Sequence, residues 1–264
     1  MIYTSTIQPT KASDDMPSQR KQARSNSKFD RFAEPRRNAE FFQGAQFQGD
    51  TLVKQQVDKS PIVAKTEGQK RYLSALKSFP ITIATGPAGT GKSYLATSFA
   101  AQQLGDNVIE KLIIARPAVE AGEKMGFLPG EIADKFGPYL VPYLETLHKR
   151  LGKSFTEYLI KTGRVEAVPF AYMRGRSWSN SLILLDEAQN TTADQMKLFL
   201  TRIGENSQII INGDVKQADI KGLTGLDDAI RRISYIPSVK HVHMTVDDIV
   251  RSPLCKELVM AYED

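Results

Sequence analysis

The chain has 264 residues, 41% of them hydrophobic and 25% charged, with one cysteine and three histidines. That is ordinary globular composition, with room for one generous α/β domain or one domain plus a tail; it excludes a disulfide framework and a multi-cysteine zinc site, and a reducing cytoplasm is the expected setting. No window approaches 18 consecutive apolar residues and the opening MIYTSTIQPTKASDD has no apolar core, so neither a membrane span nor a secretory signal is expected, while the net charge of +5 suits a polyanionic partner without requiring one.

Residues 1–60 read as a polar, basic, flexible tail: they hold ten Lys/Arg against seven Asp/Glu and show no apolar periodicity. Phe29, Phe32, Phe41, Phe42 and Phe47 are interleaved with the basic residues. That mixture can grip single-stranded nucleic acid by phosphate contact and stacking, or tether phenylalanines to a domain surface. From Pro61 the pattern alternates between strands and helices. Thr66–Leu76 reads as a helix, Ile81–Thr85 as a strand, Ser93–Leu104 as a helix and Lys111–Ala115 as a buried strand. Apolar residues from Ile132 to Leu151 recur at helical spacing, with Pro138 and Pro142 expected to interrupt them. Val165–Val168 is a weaker strand and Leu182–Asp186 a strongly apolar one. Met196, Phe199, Leu200 and Ile203 give a helix face. Gln208–Asn212 is a strand, Leu226–Ile233 a helix and Val239–Met244 a last strand. Continuous apolar strands separated by helices predict a parallel sheet covered on both faces, an α/β fold spanning residues 61–264. His241 and His243 share one face of that last strand and, with no third ligand nearby, read as ordinary strand residues.

Between the first strand and the next helix stands Gly86-Pro87-Ala88-Gly89-Thr90-Gly91-Lys92-Ser93, the pattern G-x-x-x-x-G-K-[ST]. Its glycines let successive N–H groups point inward at phosphate oxygens. Lys92 would reach the β- and γ-phosphates, Ser93 would offer its hydroxyl to Mg²⁺, and the helix N-terminus adds partial positive charge. Tyr94 follows at once and is grouped with the nucleotide contacts. A carboxylate at the end of a neighbouring strand should complete the site. Asp186 is placed for that, as a Mg²⁺ ligand, and Glu187 beside it as general base for an attacking water. The strand Gln208–Asn212 runs into Gly213-Asp214-Val215-Lys216-Gln217, which is not the N-K-x-D element of a GTPase, so ATP is the expected nucleotide. The adjacent Asp-Glu pair also argues against a small-molecule kinase.

Taken in order, Gly86–Ser93, Asp186-Glu187-Ala188-Gln189 and Gly213-Asp214-x-x-Gln217 look like motifs I, II and III of superfamily-one helicases. The whole run resembles the PhoH family of phosphate-starvation-inducible ATPases. Supporting stretches include Thr66–Tyr72, Ala115–Glu120, Gly126–Gly130, Tyr172–Ser177 and Phe199–Gly204. The resemblance covers about residues 61–262 and implies a RecA-like P-loop NTPase fold. It implies that Gln69 reads adenine, that Gln217 senses the γ-phosphate, and that Arg251 reaches that phosphate from beyond the last strand. Ser93 stands where the family is expected to carry threonine, and residues 1–60 resemble none of the extra modules of longer relatives.

Three functions follow: an Mg²⁺-dependent ATPase acting with RNA or single-stranded DNA, an ATP-driven switch for a protein partner, or a nucleic-acid binder with little hydrolysis. A single RecA-like unit leaves one side of the triphosphate open to water, and a neighbouring subunit could close it with an arginine. Arg202 is the expected donor, with Arg174 and Arg176 behind it. The resemblance implies a hexameric ring.

Overall fold

The computed structural model describes residues 57–117, 132–220 and 222–252, with Leu254, Glu257, Leu258 and Ala261. Most of the expected tail, the stretches Ala118–Glu120 and Gly126–Gly130, and Cys255 lie outside the described residues.

Four helix starts have a local reason. α1 (Glu67–Ser78) begins at Thr66, whose side chain accepts from the Gln69 amide. α5 (Ala193–Leu200) and α6 (Gly225–Ile233) open with capping boxes, Thr192 with Gln195 and Thr224 with Asp227. α2 (Lys92–Gly105) starts directly from the glycine loop. α3 (Ile132–Leu151) runs unbroken through both prolines, against expectation. Pro138 and Pro142 each withhold one helical N–H, but α3 packs on α2 and buries Leu140, Tyr143 and Leu147, so tertiary burial outweighs two missing hydrogen bonds. α4 (Lys153–Lys161), short and with few buried positions, is an element the sequence pattern did not single out.

The strands are β1 (Ile81–Thr85), β2 (Lys111–Ala115), β3 (Val165–Ala167), β4 (Ser181–Leu185), β5 (Gln208–Gly213) and β6 (Val239–His243). They form one sheet in the order β3-β2-β4-β5-β1-β6, with every neighbouring pair parallel. Alternate strand residues feed two cores, which is why the strands read as unbroken apolar runs. Ala84, Leu112, Ile114, Leu184 and Ile210 face α1–α4. Ile83, Ile113, Ile183, Leu185 and Ile211 face α5 and α6. This is the RecA-like P-loop NTPase fold, a parallel sheet with helices on both faces.

Sheet order corrects one expectation. β4, which leads into Asp186, is not a neighbour of β1: β5 lies between them, so a third strand end enters the site. Gly86 donates its N–H to the Gly213 carbonyl at 3.2 Å, and the Asp186 N–H donates to Ala115 at 3.0 Å, which holds the strand ends in one row. Among the described residues no helix is long and apolar enough to cross a membrane.

Candidate active site

The phosphate loop leaves β1 and curls under the start of α2. Gly89 and Gly91 have φ of +86° and +85°, backbone that side chains rarely adopt. A Cβ on Gly89 would stand 3.0 Å from the Arg251 Cδ, and one on Gly91 would stand 3.0 Å from the Gln69 Nε2, so space demands glycine as well. The Thr90 hydroxyl donates to the Pro87 carbonyl at 3.0 Å. The Lys92 ammonium donates to the carbonyls of Gly86 at 2.5 Å and Pro87 at 2.9 Å. Burial pushes the Lys92 pKa down, opposed by the carboxylates of Asp214, Asp186 and Glu187.

Asp186 is buried at the end of β4. Burial raises its pKa, while hydrogen bonds from Ser93 and Tyr143 lower it and the Glu187 charge raises it further. The Tyr143 hydroxyl, from α3, donates to Asp186 Oδ2 at 2.9 Å. Ser93 and Asp186, the two expected metal ligands, are therefore in direct contact. A hydroxyl beside a carboxylate is a hard-oxygen pair that fits Mg²⁺.

Glu187 sits at φ 56°, ψ 40°, the left-handed region. A non-glycine residue there carries about 1 kcal/mol or more of strain, the kind of conformation that clusters at functional sites. Gln189 Nε2 donates to Glu187 Oε2 at 2.7 Å, and Arg116 Nη2 stands 3.8 Å from Oε1. The loop, Tyr94, Asp186, Glu187, Asp214, Gln217 and Arg251 line a cavity of about 380 Å³. Val250 N–H donates to the Gly89 carbonyl at 3.1 Å, which docks the segment bearing Arg251 on the loop.

Not every expected residue reaches this cavity. Gln69 is buried beneath the loop: its Nε2 donates to the Thr90 carbonyl at 3.0 Å and its Oε1 accepts from Lys65 N–H at 2.8 Å. It braces the loop from below rather than lining the cavity. Arg202 lies at the opposite edge of the sheet. Its carbonyl accepts from Trp178, just ahead of β4, and its guanidinium donates to the carbonyls of Leu198 and Arg176 at 3.1 Å each. Arg176 forks onto both oxygens of Glu166 at 2.8 Å and stacks 5.0 Å over the Trp178 ring. Arg174 is exposed. His241 Nε2 and His243 Nδ1 both lie within hydrogen-bond distance of the Thr85 hydroxyl, at 2.8 and 3.1 Å.

Three participants carry little signal in the sequence. Gln189 stands inside the Asp186–Gln189 motif, and only its place two residues after Glu187 points to a role. Tyr143 read as a core position of α3; that its hydroxyl finds Asp186 depends on helix packing. Arg116 stands inside the stretch Ala115–Glu120, and its approach to Glu187 depends on β2 and β4 lying side by side.

The chain matches the family described as PhoH-like protein over residues 61–263. It is 46% identical over 209 residues to Protein PhoH of Escherichia coli strain K12, covering 78% of this chain and 59% of that one. It is 46% identical over 204 residues to the PhoH-like protein of Bacillus subtilis strain 168, covering 76% and 64%. The chain thus spans about three fifths of the length of these curated relatives. The crystal structure of Pif1 helicase from Candida albicans aligns with 70% of this chain and 41% of its own, at a TM-score of 0.36 and 17% identity, too distant to carry an argument. With its phosphate loop, its strand-end carboxylates and a family match from residue 61 to 263, the chain belongs to the PhoH-like family.

Proposed function

We propose that this protein hydrolyses ATP with Mg²⁺ and couples that reaction to RNA or single-stranded nucleic acid. The observation that carries the reading is the convergence of Lys92, the Ser93–Asp186 pair and the strained Glu187 on one cavity between three strand ends. The loop N–H groups and Lys92 bind and orient the phosphates. Ser93 and Asp186 would hold Mg²⁺, which would supply charge neutralisation for the phosphates. Glu187, part exposed at the cavity, accepts a proton from water as that water attacks the γ-phosphorus, the bond to the β–γ bridging oxygen breaks and ADP leaves. Gln217 and Arg251 line the same cavity, where they would meet the γ-phosphate.

The nucleic-acid partner is supported by the helicase-like order of the motifs and by Arg116, which is part exposed beside Glu187. The hexameric ring is the assembly that the resemblance to the PhoH family implies. Of the three arginines proposed to enter the cavity from a neighbour, Arg174 is the exposed one, whereas Arg176 and Arg202 are held by groups of their own chain.

ATP hydrolysis measured with and without single-stranded RNA tests the reading. Hydrolysis accelerated by RNA is the expected result. Glu187→Gln should retain nucleotide binding and lose roughly 10²-fold or more in turnover. Wild-type turnover in that variant would remove Glu187 as base.

A further inference from the structure

Glu187 and the turn after β5 are bridged by one buried amide. Gln189 is 2% exposed. Its Nε2 donates to Glu187 Oε2 at 2.7 Å, and its Oε1 accepts the Asp214 backbone N–H at 3.0 Å. The next residue repeats the link further out: Asn190 Nδ2 donates to Asp219 Oδ2 at 3.0 Å, and Asn190 Oδ1 accepts Asp219 N–H at 2.9 Å. The turn itself is closed by Gln217 N–H donating to the Asp214 carbonyl at 3.1 Å. A Cβ on Gly213 would stand 2.9 Å from Gln189 Oε1, so the strand end leaves room for this amide.

We propose that Gln189 is a positioning residue that makes the orientation of the Glu187 carboxylate follow the Asp214–Gln217 turn. Glu187 is a part-exposed side chain with many rotamers. A donor on Oε2 holds it in one of them and leaves Oε1, 3.8 Å from Arg116 Nη2, as the oxygen to take a proton. Glutamine suits the bridge because it donates and accepts at once. Glutamate lacks the donor, lysine and arginine lack the acceptor, and asparagine is one methylene short. A movement of the turn when Gln217 meets the γ-phosphate is thereby passed to the hydrolytic carboxylate through two hydrogen bonds.

This inference rests on the ATP-hydrolysis reading. The test is steady-state ATP hydrolysis by the full chain, with affinity for a non-hydrolysable ATP analogue measured beside it. Gln189→Ala should lower kcat by roughly tenfold to 10²-fold, the scale of misplaced catalytic groups, with analogue affinity unchanged. Gln189→Glu, isosteric and a safeguard against poor folding, keeps the acceptor for Asp214 and loses the donor. Without that donor it should lose kcat as Gln189→Ala does, with analogue affinity again unchanged. Unchanged kcat in both variants overturns the inference while leaving the ATPase reading intact. A kcat loss matched by an equal loss of analogue affinity also overturns it, because the role is then structural. Absence of hydrolysis in the unsubstituted protein removes the ATPase reading and this inference with it.

Discussion

The two edges of the sheet handle charge in opposite ways. Where the strands end, Lys92 and Asp186 are both held away from their ordinary pKa values by burial, and Glu187 sits in strained backbone. Where the strands begin, Arg176 is forked onto Glu166 and stacked on Trp178, and Arg202 satisfies two backbone carbonyls near the end of α5. Charges that are fully matched stabilise a fold but have nothing left to offer a ligand. Charges held in an unfavourable environment gain when a ligand of opposite sign arrives. The end edge is thus built for binding and the start edge for stability, although both grow from the same strands.

The sharpest contrast comes from Lys92→Ala. Removing the only ammonium in the phosphate loop deletes charge-assisted hydrogen bonds to phosphate, so ATP affinity should fall by roughly 10²-fold or more. Calorimetric titration reads it, and a variant that binds ATP as well as the parent would end the assignment of this loop.

Mixing Arg202→Ala with Lys92→Ala subunits tests whether the start edge of one subunit serves the end edge of another. If Arg202 acts in trans, each variant alone is inactive and the mixture regains ATPase activity. If the start edge is purely structural, Arg202→Ala keeps its activity and loses about 1 kcal/mol of stability, the worth of its carbonyl hydrogen bonds. Arg176→Ala should lose about 1 kcal/mol in urea unfolding, since its pair with Glu166 is partly exposed, with ATP turnover unchanged. A large loss of turnover without loss of stability would break the comparison.

Asp186 sharpens it through pH. Its folded pKa lies above the unfolded value, because burial disfavours the charged form. The unfolded chain therefore ionises first, and the residue subtracts stability as pH rises from the unfolded value through the folded one. Asp186→Asn should raise the melting temperature at neutral pH, and the gain should shrink as the buffer is taken below the unfolded pKa. A melting temperature that falls at neutral pH would show that the Ser93 and Tyr143 hydrogen bonds outweigh burial.

The smallest effect is expected at the N-terminus. Removing residues 1–50 should leave ATP affinity and the circular-dichroism melt unchanged, because residues 57–60 are already fastened to the domain. There, Arg150 donates to the carbonyls of Asp58 and Ser60. A marked drop in melting temperature would make the tail part of the fold.

Much of this organisation is local and so legible in one dimension. A strand buried on both faces is apolar at every position, which is why β1 and β2 were found to the residue and β4 and β5 to within one residue at either end. The phosphate loop is contiguous, and its glycines answer to backbone conformation that no neighbour can alter. The helix through Pro138 and Pro142 shows the limit: local rules end it, and burial against α2 carries it on.

The sequence by itself determined the loop, the strand-end carboxylates and the parallel α/β fold, because each follows from residue type and short-range spacing. Only the tertiary structure decided which distant residues meet. It put β5 between β1 and β4, and it brought Tyr143 to Asp186 across 43 residues. It also turned Gln69 beneath the loop and Arg202 to the far edge. Those outcomes depend on strand order and helix packing. Both are set by the sum of many apolar contacts and leave no mark at any single position of the chain.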